Sequence, residues 1–245
     1  MQNLSAAELL TVWERTLDQP PVNQALGLLS AAFPEHAFEQ LARLSIGQRD
    51  ALLQMLRERL FGTQLNSVAA CPQCQQRIEL AFSTADIRAE QAPSLVKNSA
   101  DTAMSLTMEG YKVDFRLPNS IDLASIETCI DADLAREQLL HRCIQSVTRL
   151  IESNDKEKIL NDGYQLPASL TDAIARRMAE ADPQVGTQLA LTCPDCSYSW
   201  SATFDIVTYL MEEIHRWAKH MLGEIHNLAR AYGWHEAYLE LLGLG

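Results

Sequence analysis

No run of apolar residues in this chain approaches 18, so the sequence carries no segment that would cross a bilayer as a helix. The opening residues, Met1-Gln2-Asn3-Leu4-Ser5, lack the basic start and apolar core of a secretory signal. The expectation is synthesis in the cytoplasm, with reduced cysteines. Basic charge is scarce. The 20 Lys and Arg stand against 32 Asp and Glu, which leaves a net charge of −12. A surface of that sign repels phosphate, so nucleic acid is not the expected partner, and protein partners are favoured. Familiar catalytic motifs are missing as well: there is no H-E-x-x-H, no G-x-S-x-G and no phosphate-binding loop. None of these motifs marks a catalytic residue or a small-molecule site. What remains is an ordinary globular composition, 47% hydrophobic and 21% charged over 245 residues, enough for a real core and one or two domains.

Against these absences stand two short stretches, Cys71-Pro72-Gln73-Cys74 and Cys193-Pro194-Asp195-Cys196. Each is a C-P-x-C, and each is followed by strand-like alternation: Arg77 to Phe82 after the first, Tyr198 to Phe204 after the second. Two thiols at i and i+3 of a tight turn point at one ion, and two such turns supply the four thiolates of a closed tetrahedral zinc site. A repeated knuckle and strand is the pattern of a zinc ribbon. Compact ribbons place roughly 15–20 residues between the pairs, whereas 118 residues separate Cys74 from Cys193. Closing the longer loop costs on the order of 1.5 kcal/mol more, at about 0.6 kcal/mol per doubling. A structural zinc site contributes about 10–16 kcal/mol in small peptides. The metal wins, so one structural Zn²⁺ shared by Cys71, Cys74, Cys193 and Cys196 is the expectation. Two redox C-x-x-C pairs or disulfides are the competing readings, and neither pair lies in the βαβ context of a thioredoxin-like site.

Residues 1–60 read as helical. Ser5 and Glu8 form a capping box ahead of a stripe of Leu9, Val12, Trp13, Thr16 and Leu17. Pro20-Pro21 separates this helix from a second carrying Val22, Ala25, Leu26 and Leu29. A short third segment covers Ala37–Leu44, and a fourth helix covers Arg49–Arg59. After the first knuckle, residues 83–101 read as a polar loop. Leu106 to Leu117 then reads as a hairpin turning at Glu109-Gly110, with Tyr111, Val113, Phe115 and Leu117 on one face. Ile121–Ile151 is expected to be largely helix with a break near Asp131, its buried side including Leu134, Leu139, Leu140, Cys143, Ile144 and Val147. Asn161-Asp162-Gly163 is a turn, and Ser169–Ala181 a further helix. Asp205 caps a long C-terminal helix with apolar residues recurring from Ile206 to Leu228. Tyr232-Gly233-Trp234 stops it, and His235–Leu242 makes a last short helix.

Other reactive side chains carry weaker signals. Cys129 and Cys143, 14 residues apart, would lie about 21 Å apart on one helix, so they read as buried apolar residues. Either could pair with His141 as a nucleophile, with no motif around them in support. Glu212-x-x-His215 has di-iron spacing, but that chemistry needs a second such motif on a facing helix. The acidic pairs Asp131/Asp133 and Glu212/Glu213 read as solvated faces, and Trp200, Trp217 and Trp234 as core or interface anchors.

Taken in order, these motifs resemble a known family. The order is a helical start, a C-P-x-C, a hairpin reading Glu-Gly-Tyr-x-Val-x-Phe-Arg-Leu-Pro, helices, Ala-Asp-Pro and Leu-x-Leu-Thr-Cys-Pro-x-Cys. After these come Phe204-Asp205-Ile206-Val207 and a tail from Glu224 through Tyr232-Gly233-Trp234 to Glu236. The chain resembles the zinc-ribbon baseplate proteins of phage-tail-like contractile injection systems, which are similar to a hub-assembly protein of T-even-type phage baseplates. The resemblance implies a non-catalytic structural or assembly part of the baseplate, contacting other baseplate, hub or spike proteins, and either retained in the injection particle or released after assembly. The fold expected is α+β, mostly α. It comprises a helical N-terminal region (1–62), the first half of a ribbon with its hairpin (63–118), a helical insertion (119–185), the second half of the ribbon (186–204) and C-terminal helices (205–245). A zinc-dependent enzyme or redox protein, or an adaptor working outside a tail machine, is the alternative.

Overall fold

A computed structural model describes residues 1–88, 103–150, 158–159 and 166–233. The fold is mixed and mostly helical, with small sheets and a long C-terminal helix. It divides into two compact units. One comprises Met1–Ala37, Leu53–Asp86 and Leu189–Gly245, and the other Phe38–Leu52 and Ile87–Gln188.

In the first unit, helix α1 (Ala6–Thr16) starts where the sequence says it should. The Ser5 side chain accepts from the Glu8 N–H, and the Glu8 carboxylate accepts from the Ser5 N–H at 2.8 Å. Such a cap is worth about 1 kcal/mol. Leu9, Leu10, Trp13 and Thr16 form its buried face. Helix α2 (Pro21–Ala32) has proline in its first turn, where the missing N–H is not needed. It buries Ala25, Leu26, Leu28, Leu29 and Ala32. A Cβ at Gly27 would stand 2.7 Å from Thr16 Cγ2, so α1 and α2 meet at a point where only glycine fits without displacement. Helix α3 (Phe38–Ala42) belongs to the second unit, and helix α4 (Ile46–Phe61) contributes its residues from Leu53 onward to the first. Strands β1 (Gln64–Ala70) and β2 (Arg77–Ser83) pair antiparallel from Gln64↔Ser83 to Ala70↔Arg77. The short helix α5 (Thr84–Ile87) follows.

The second unit is built on a four-stranded antiparallel sheet in the order β3-β4-β5-β6 (Met104–Met108, Tyr111–Phe115, Ile144–Arg149, Lys158–Ile159). The β3–β4 turn is the one read from sequence. Glu109 (φ 54°) and Gly110 (φ 74°) both take left-handed backbone, which a two-residue hairpin turn of the I′ type requires. Tyr111, Val113 and Phe115 then point to one face. Leu170 and Ile174 of helix α8 (Ala168–Ala181) pack on them, with Leu140, Ile144 and Met178 around the edge.

The expected helix over 121–151 is shorter than the sequence suggested. Helix α6 (Ser120–Ile126) and helix α7 (Ala132–Cys143) form, but the chain turns to strand at Ile144. The apolar pair Ile144 and Val147 fits a helical stripe as well as a strand. The open edge of β4 decides the matter by offering a ladder to β-branched residues, with Val113↔Val147 at its centre. Leu134, expected inside, is exposed. Asp131, read as a solvated acid, caps α7 by accepting from the N–H groups of Asp133 and Leu134.

Two buried carboxylates organise this unit. Asp122, 1% exposed, receives both guanidinium nitrogens of Arg116 at 2.6 and 2.9 Å, Arg142 at 3.1 Å and the Asn119 N–H at 3.1 Å. Burial raises its pKa, but the two arginines and the Asn119 N–H outweigh that and hold it below the usual carboxylate range. Asp182 accepts from the Gly47 N–H at 2.9 Å, and a Cβ at Gly47 would fall 2.0 Å from its Oδ1. Its pKa is raised, because burial outweighs that N–H and the Ser45 hydroxyl.

The second pair of hairpin strands, β7 (Gln188–Thr192) and β8 (Ser199–Thr203), leads into helix α9 (Ile206–Tyr232). Asp205 caps α9 through the Val207 N–H, and Gly233 ends it in left-handed conformation (φ 64°), both as the sequence suggests. The expected turn at Asn161-Asp162-Gly163, most of the polar loop over 83–101, and the last helix over His235–Leu242 lie outside the described residues. No helix among the described residues is long and apolar enough to cross a membrane.

Candidate metal centre

Cys71 to Cys74 form the turn between β1 and β2, and Cys193 to Cys196 the turn between β7 and β8. The two turns are closed in the same way. The Cys71 N–H donates to Gln76 O at 2.9 Å, and the Gln75 N–H returns to Cys71 O at 2.9 Å. In the second turn the Cys193 N–H donates to Tyr198 O at 2.8 Å, and the Ser197 N–H returns to Cys193 O at 3.0 Å. The residue after each second cysteine takes left-handed backbone, Gln75 at φ 62° and Ser197 at φ 58°. Side chains with a Cβ adopt that region at a cost, so both turns hold local strain. The sequence gives no hint of it, because glycine occupies neither position.

The fold brings the two turns face to face. All four sulfurs lie within 4.8 Å of one another. The close approaches run crosswise, Cys71 Sγ to Cys196 Sγ at 3.6 Å and Cys74 Sγ to Cys193 Sγ at 3.6 Å. Exchanging the turns maps one contact onto the other, so the cluster has approximate two-fold symmetry. The first cysteine of each turn is buried, while Cys74 is exposed and Cys196 half-buried. A disulfide would need about 2.05 Å between sulfurs, so none is bonded. Four thiolates at about 2.3 Å from a central ion stand about 3.8 Å apart by tetrahedral geometry, and the observed separations bracket that spacing.

Backbone donors are already aimed at these sulfurs. Burial raises the Cys71 pKa, but the N–H groups of Cys74 and Gln73, with the neighbouring thiols, bring it down to about 7. At Cys74 the Gln76 N–H lowers the pKa, but burial and the three other sulfurs overcome it and push the thiol up to about 12. Cys196 is raised too, despite the Tyr198 N–H. Thiolates this close oppose each other's ionisation, and a bound cation reverses that opposition. The cluster could hold a metal ion. Filled by four sulfurs, a tetrahedral ion has no position left for water or substrate.

A polar network in the same unit fastens the first hairpin to the helices. Arg57, among the largest fully buried side chains, reaches Glu213 with two nitrogens at 2.8 Å each and donates to Gly62 O at 2.7 Å. The Tyr209 hydroxyl accepts from the Asn66 N–H at 3.0 Å, and the Arg57 guanidinium sits 5.7 Å from the Tyr209 ring centre. The hydrogen bond to Glu213 holds the Arg57 pKa above its ordinary value. Phe204 bridges the hairpins, with ring centres 5.6 Å from Phe82 and 5.3 Å from Tyr209. Glu213, read from sequence as a solvated acid, is the part-buried partner of this arginine. In the sequence Arg57 stands next to Leu56 on the apolar side of α4, but nothing there named its partner 156 residues away.

The remaining reactive residues lie elsewhere. Cys143 is buried, and desolvation pushes its thiol up to about 12. Cys129 is half-buried and donates to Asp131 O at 3.3 Å. His215 is engaged by Trp13, whose Nε1–H donates to His215 Nδ1 at 3.2 Å. Among the described residues, no other group of three or more His, Cys, Asp or Glu is arranged to hold a metal ion.

A family model described as T4 bacteriophage base plate protein matches residues 8–210, which include both cysteine turns and most of the elements above. The chain belongs to that family. No curated protein matches the chain, and no solved structure does either. Members of this family are baseplate components, so this chain is a phage baseplate protein, and its cysteine cluster is a feature of a structural part. The match begins inside α1 and stops inside α9, so the N-terminal helices are as much a part of the family pattern as the cysteine turns.

Proposed function

We propose that this protein is a non-catalytic structural or assembly component of the baseplate of a contractile phage-tail-like injection system. In this reading one structural zinc ion, bound by Cys71, Cys74, Cys193 and Cys196, stabilises it. The observation that carries the zinc reading is the convergence of two C-P-x-C turns, separated by 118 residues, into one cluster with sulfurs within 4.8 Å. A hard cation would want oxygen ligands, whereas four thiolates in a tetrahedron suit zinc. Family membership supports the baseplate role and contacts with other baseplate proteins, and in this reading hub or spike proteins are among the partners. Assembly would take place in the cytoplasm of the bacterium, before or during tail construction.

The chain's own residues would do the following. Cys71 and Cys193 hold the ion from the buried side, and Cys74 and Cys196 close it from the solvent side. The N–H groups of Gln73, Cys74, Gln76 and Tyr198 stabilise the thiolates. The ion then acts as a cross-link between hairpins far apart in sequence, and the Arg57–Glu213–Tyr209–Asn66 network carries that rigidity to α4 and α9. Elemental analysis of the purified protein tests the reading: one zinc per chain is expected. A metal-free protein with reactive thiols would overturn the structural-zinc assignment and favour redox chemistry at the C-x-x-C pairs.

A further inference from the structure

Helices α7 and α8 leave a groove of about 380 Å³ between them. Leu140, Ile144 and Leu166 line it, and the same three side chains pack against the core that covers the sheet. Asp133 and Glu137 of α7 and Asp172 of α8 add carboxylates to this apolar lining. Among the described residues, Arg136 is the only lysine or arginine that lines the groove, and it is already paired with Asp172 at 3.2 Å. Both members of that pair are about two-thirds exposed, so it contributes little and exchanges readily for another cation.

A second observation lies at the N-terminal end of α7. Ile130 is 102% exposed, and Leu134, one turn on, is 47% exposed. The turn that carries Ile130 is nonetheless fixed on both sides. The Cys129 N–H donates to Ile126 O at 2.9 Å, and the Asp131 carboxylate accepts from the N–H groups of Asp133 and Leu134 at 2.9 and 3.2 Å. A residue just before a helix cap ordinarily packs on the one five positions later, but that residue is Ala135, too short to cover an isoleucine. An apolar side chain held in water on a set turn has little ordering left to lose when a partner covers it. Ile130 precedes Asp133 and Glu137 by one and two turns, so it extends the side of α7 that borders the groove.

Building on the baseplate role above, we propose that this face of α7 and α8 docks a basic amphipathic segment of another baseplate protein. The segment's apolar side chains enter the groove and cover Ile130, and its Lys and Arg meet the carboxylates. Charge selects this occupant. From Glu127 to Glu137 the chain holds four carboxylates against Arg136 alone, and Asp172 adds a fifth across the groove. A second copy presenting the same face would set carboxylate against carboxylate. Anionic lipid and nucleic acid are repelled for the same reason.

The test is site-specific photo-cross-linking of the full chain in the cells that make it. Ile130 and Glu137 are replaced, one at a time, by p-benzoylphenylalanine, with exposed Glu14 as a control position. Cross-linked peptides are then identified by mass spectrometry. The expected result is that positions 130 and 137 capture one segment of one other protein, in which Lys or Arg alternates with apolar residues. Glu137→Lys and Asp172→Lys should each cut the yield from position 130 at least tenfold, with Glu14→Lys leaving it unchanged. Circular dichroism melts confirm that the variants keep the wild-type fold, and Glu137→Gln should give an intermediate loss. The proposal is overturned by no cross-link at either position, by capture of this chain's own residues or of a second copy, by an acidic target, or by yields indifferent to charge reversal. A basic amphipathic target outside the tail would support the docking face and overturn the baseplate role. Capture of a tail protein from position 14 alone would do the opposite.

Discussion

Replacing Cys193 by alanine separates a metal cross-link from ordinary packing. The apparent zinc affinity of structural sites in zinc-finger peptides, about 10–16 kcal/mol at pH 7, corresponds to dissociation constants from roughly 5 × 10⁻⁸ to 2 × 10⁻¹² M. At about 1 µM free zinc, a ligand bound by the native state alone then stabilises it by about 2–8 kcal/mol. A chain of this size shifts its melting temperature by about 2–4 °C per kcal/mol, so losing the site should lower Tm by at least about 4 °C. Truncating a buried sulfur has its own packing cost, and the structure supplies the control. Cys143 is as buried as Cys193, 0% against 1%, but lies outside the cluster. Differential scanning calorimetry of wild type, Cys193→Ala and Cys143→Ala should show three behaviours across a zinc titration. The wild-type Tm rises with zinc, Cys143→Ala rises in parallel from a lower start, and Cys193→Ala is flat. A Cys193→Ala protein that melts within about 1 °C of Cys143→Ala at every zinc concentration would refute the cross-link.

Glu213→Ala leaves the Arg57 guanidinium buried without its carboxylate and should lower stability by about 3–5 kcal/mol in urea unfolding. Pairing it with Arg57→Met should recover much of that loss, and a double variant no better than the single would contradict the pairing. Asp122→Asn should cost about 3 kcal/mol near pH 7, since the arginines at 2.6 and 3.1 Å lose their charged partner. The folded pKa of Asp122 is depressed, so its contribution is complete above the unfolded carboxylate value of about 3.9 and is lost as pH falls through the lower folded value. Unfolding curves of wild type and Asp122→Asn should therefore begin to approach below about pH 4 and meet only below the folded value, and curves that stay parallel would mean the charge plays no part. Ser197→Gly relieves a left-handed residue at φ 58° and should raise Tm or leave it unchanged, a gain of up to about 1 kcal/mol, whereas Ser197→Val should lower both Tm and zinc affinity.

Local signals were legible where one kind of force acts alone. The Ser5–Glu8 cap, the proline at the start of α2, the Glu109-Gly110 turn and the Asp205 cap depend on neighbours three or four residues away, and all four appear where the sequence places them. The alternation of Tyr111, Val113 and Phe115 likewise marked the buried face of β4 before any partner was known. The signal failed at Ile144, where period two and period 3.6 coincide over a few residues and the open edge of β4 made the choice. It failed also at Glu213, because a carboxylate on an amphipathic helix reads as solvated until a buried guanidinium is placed opposite it.

The sequence by itself determined the chemistry available at the cysteine centre. Two i, i+3 thiol pairs in proline-bearing turns are local objects, and thiolate ligands select a soft or borderline metal whatever the rest of the chain does. It also determined the apolar face of α9, whose residues recur from Ile206 to Leu228. Tertiary structure alone decided that the turns meet crosswise, and that Cys71 and Cys193 face inward while Cys74 faces solvent. The reason is the range of the forces. Capping, turn geometry and ligand type act within a few residues, whereas bringing Cys74 to Cys193, or Arg57 to Glu213, requires loops of more than a hundred residues to close, and the packing of the whole unit decides whether they do.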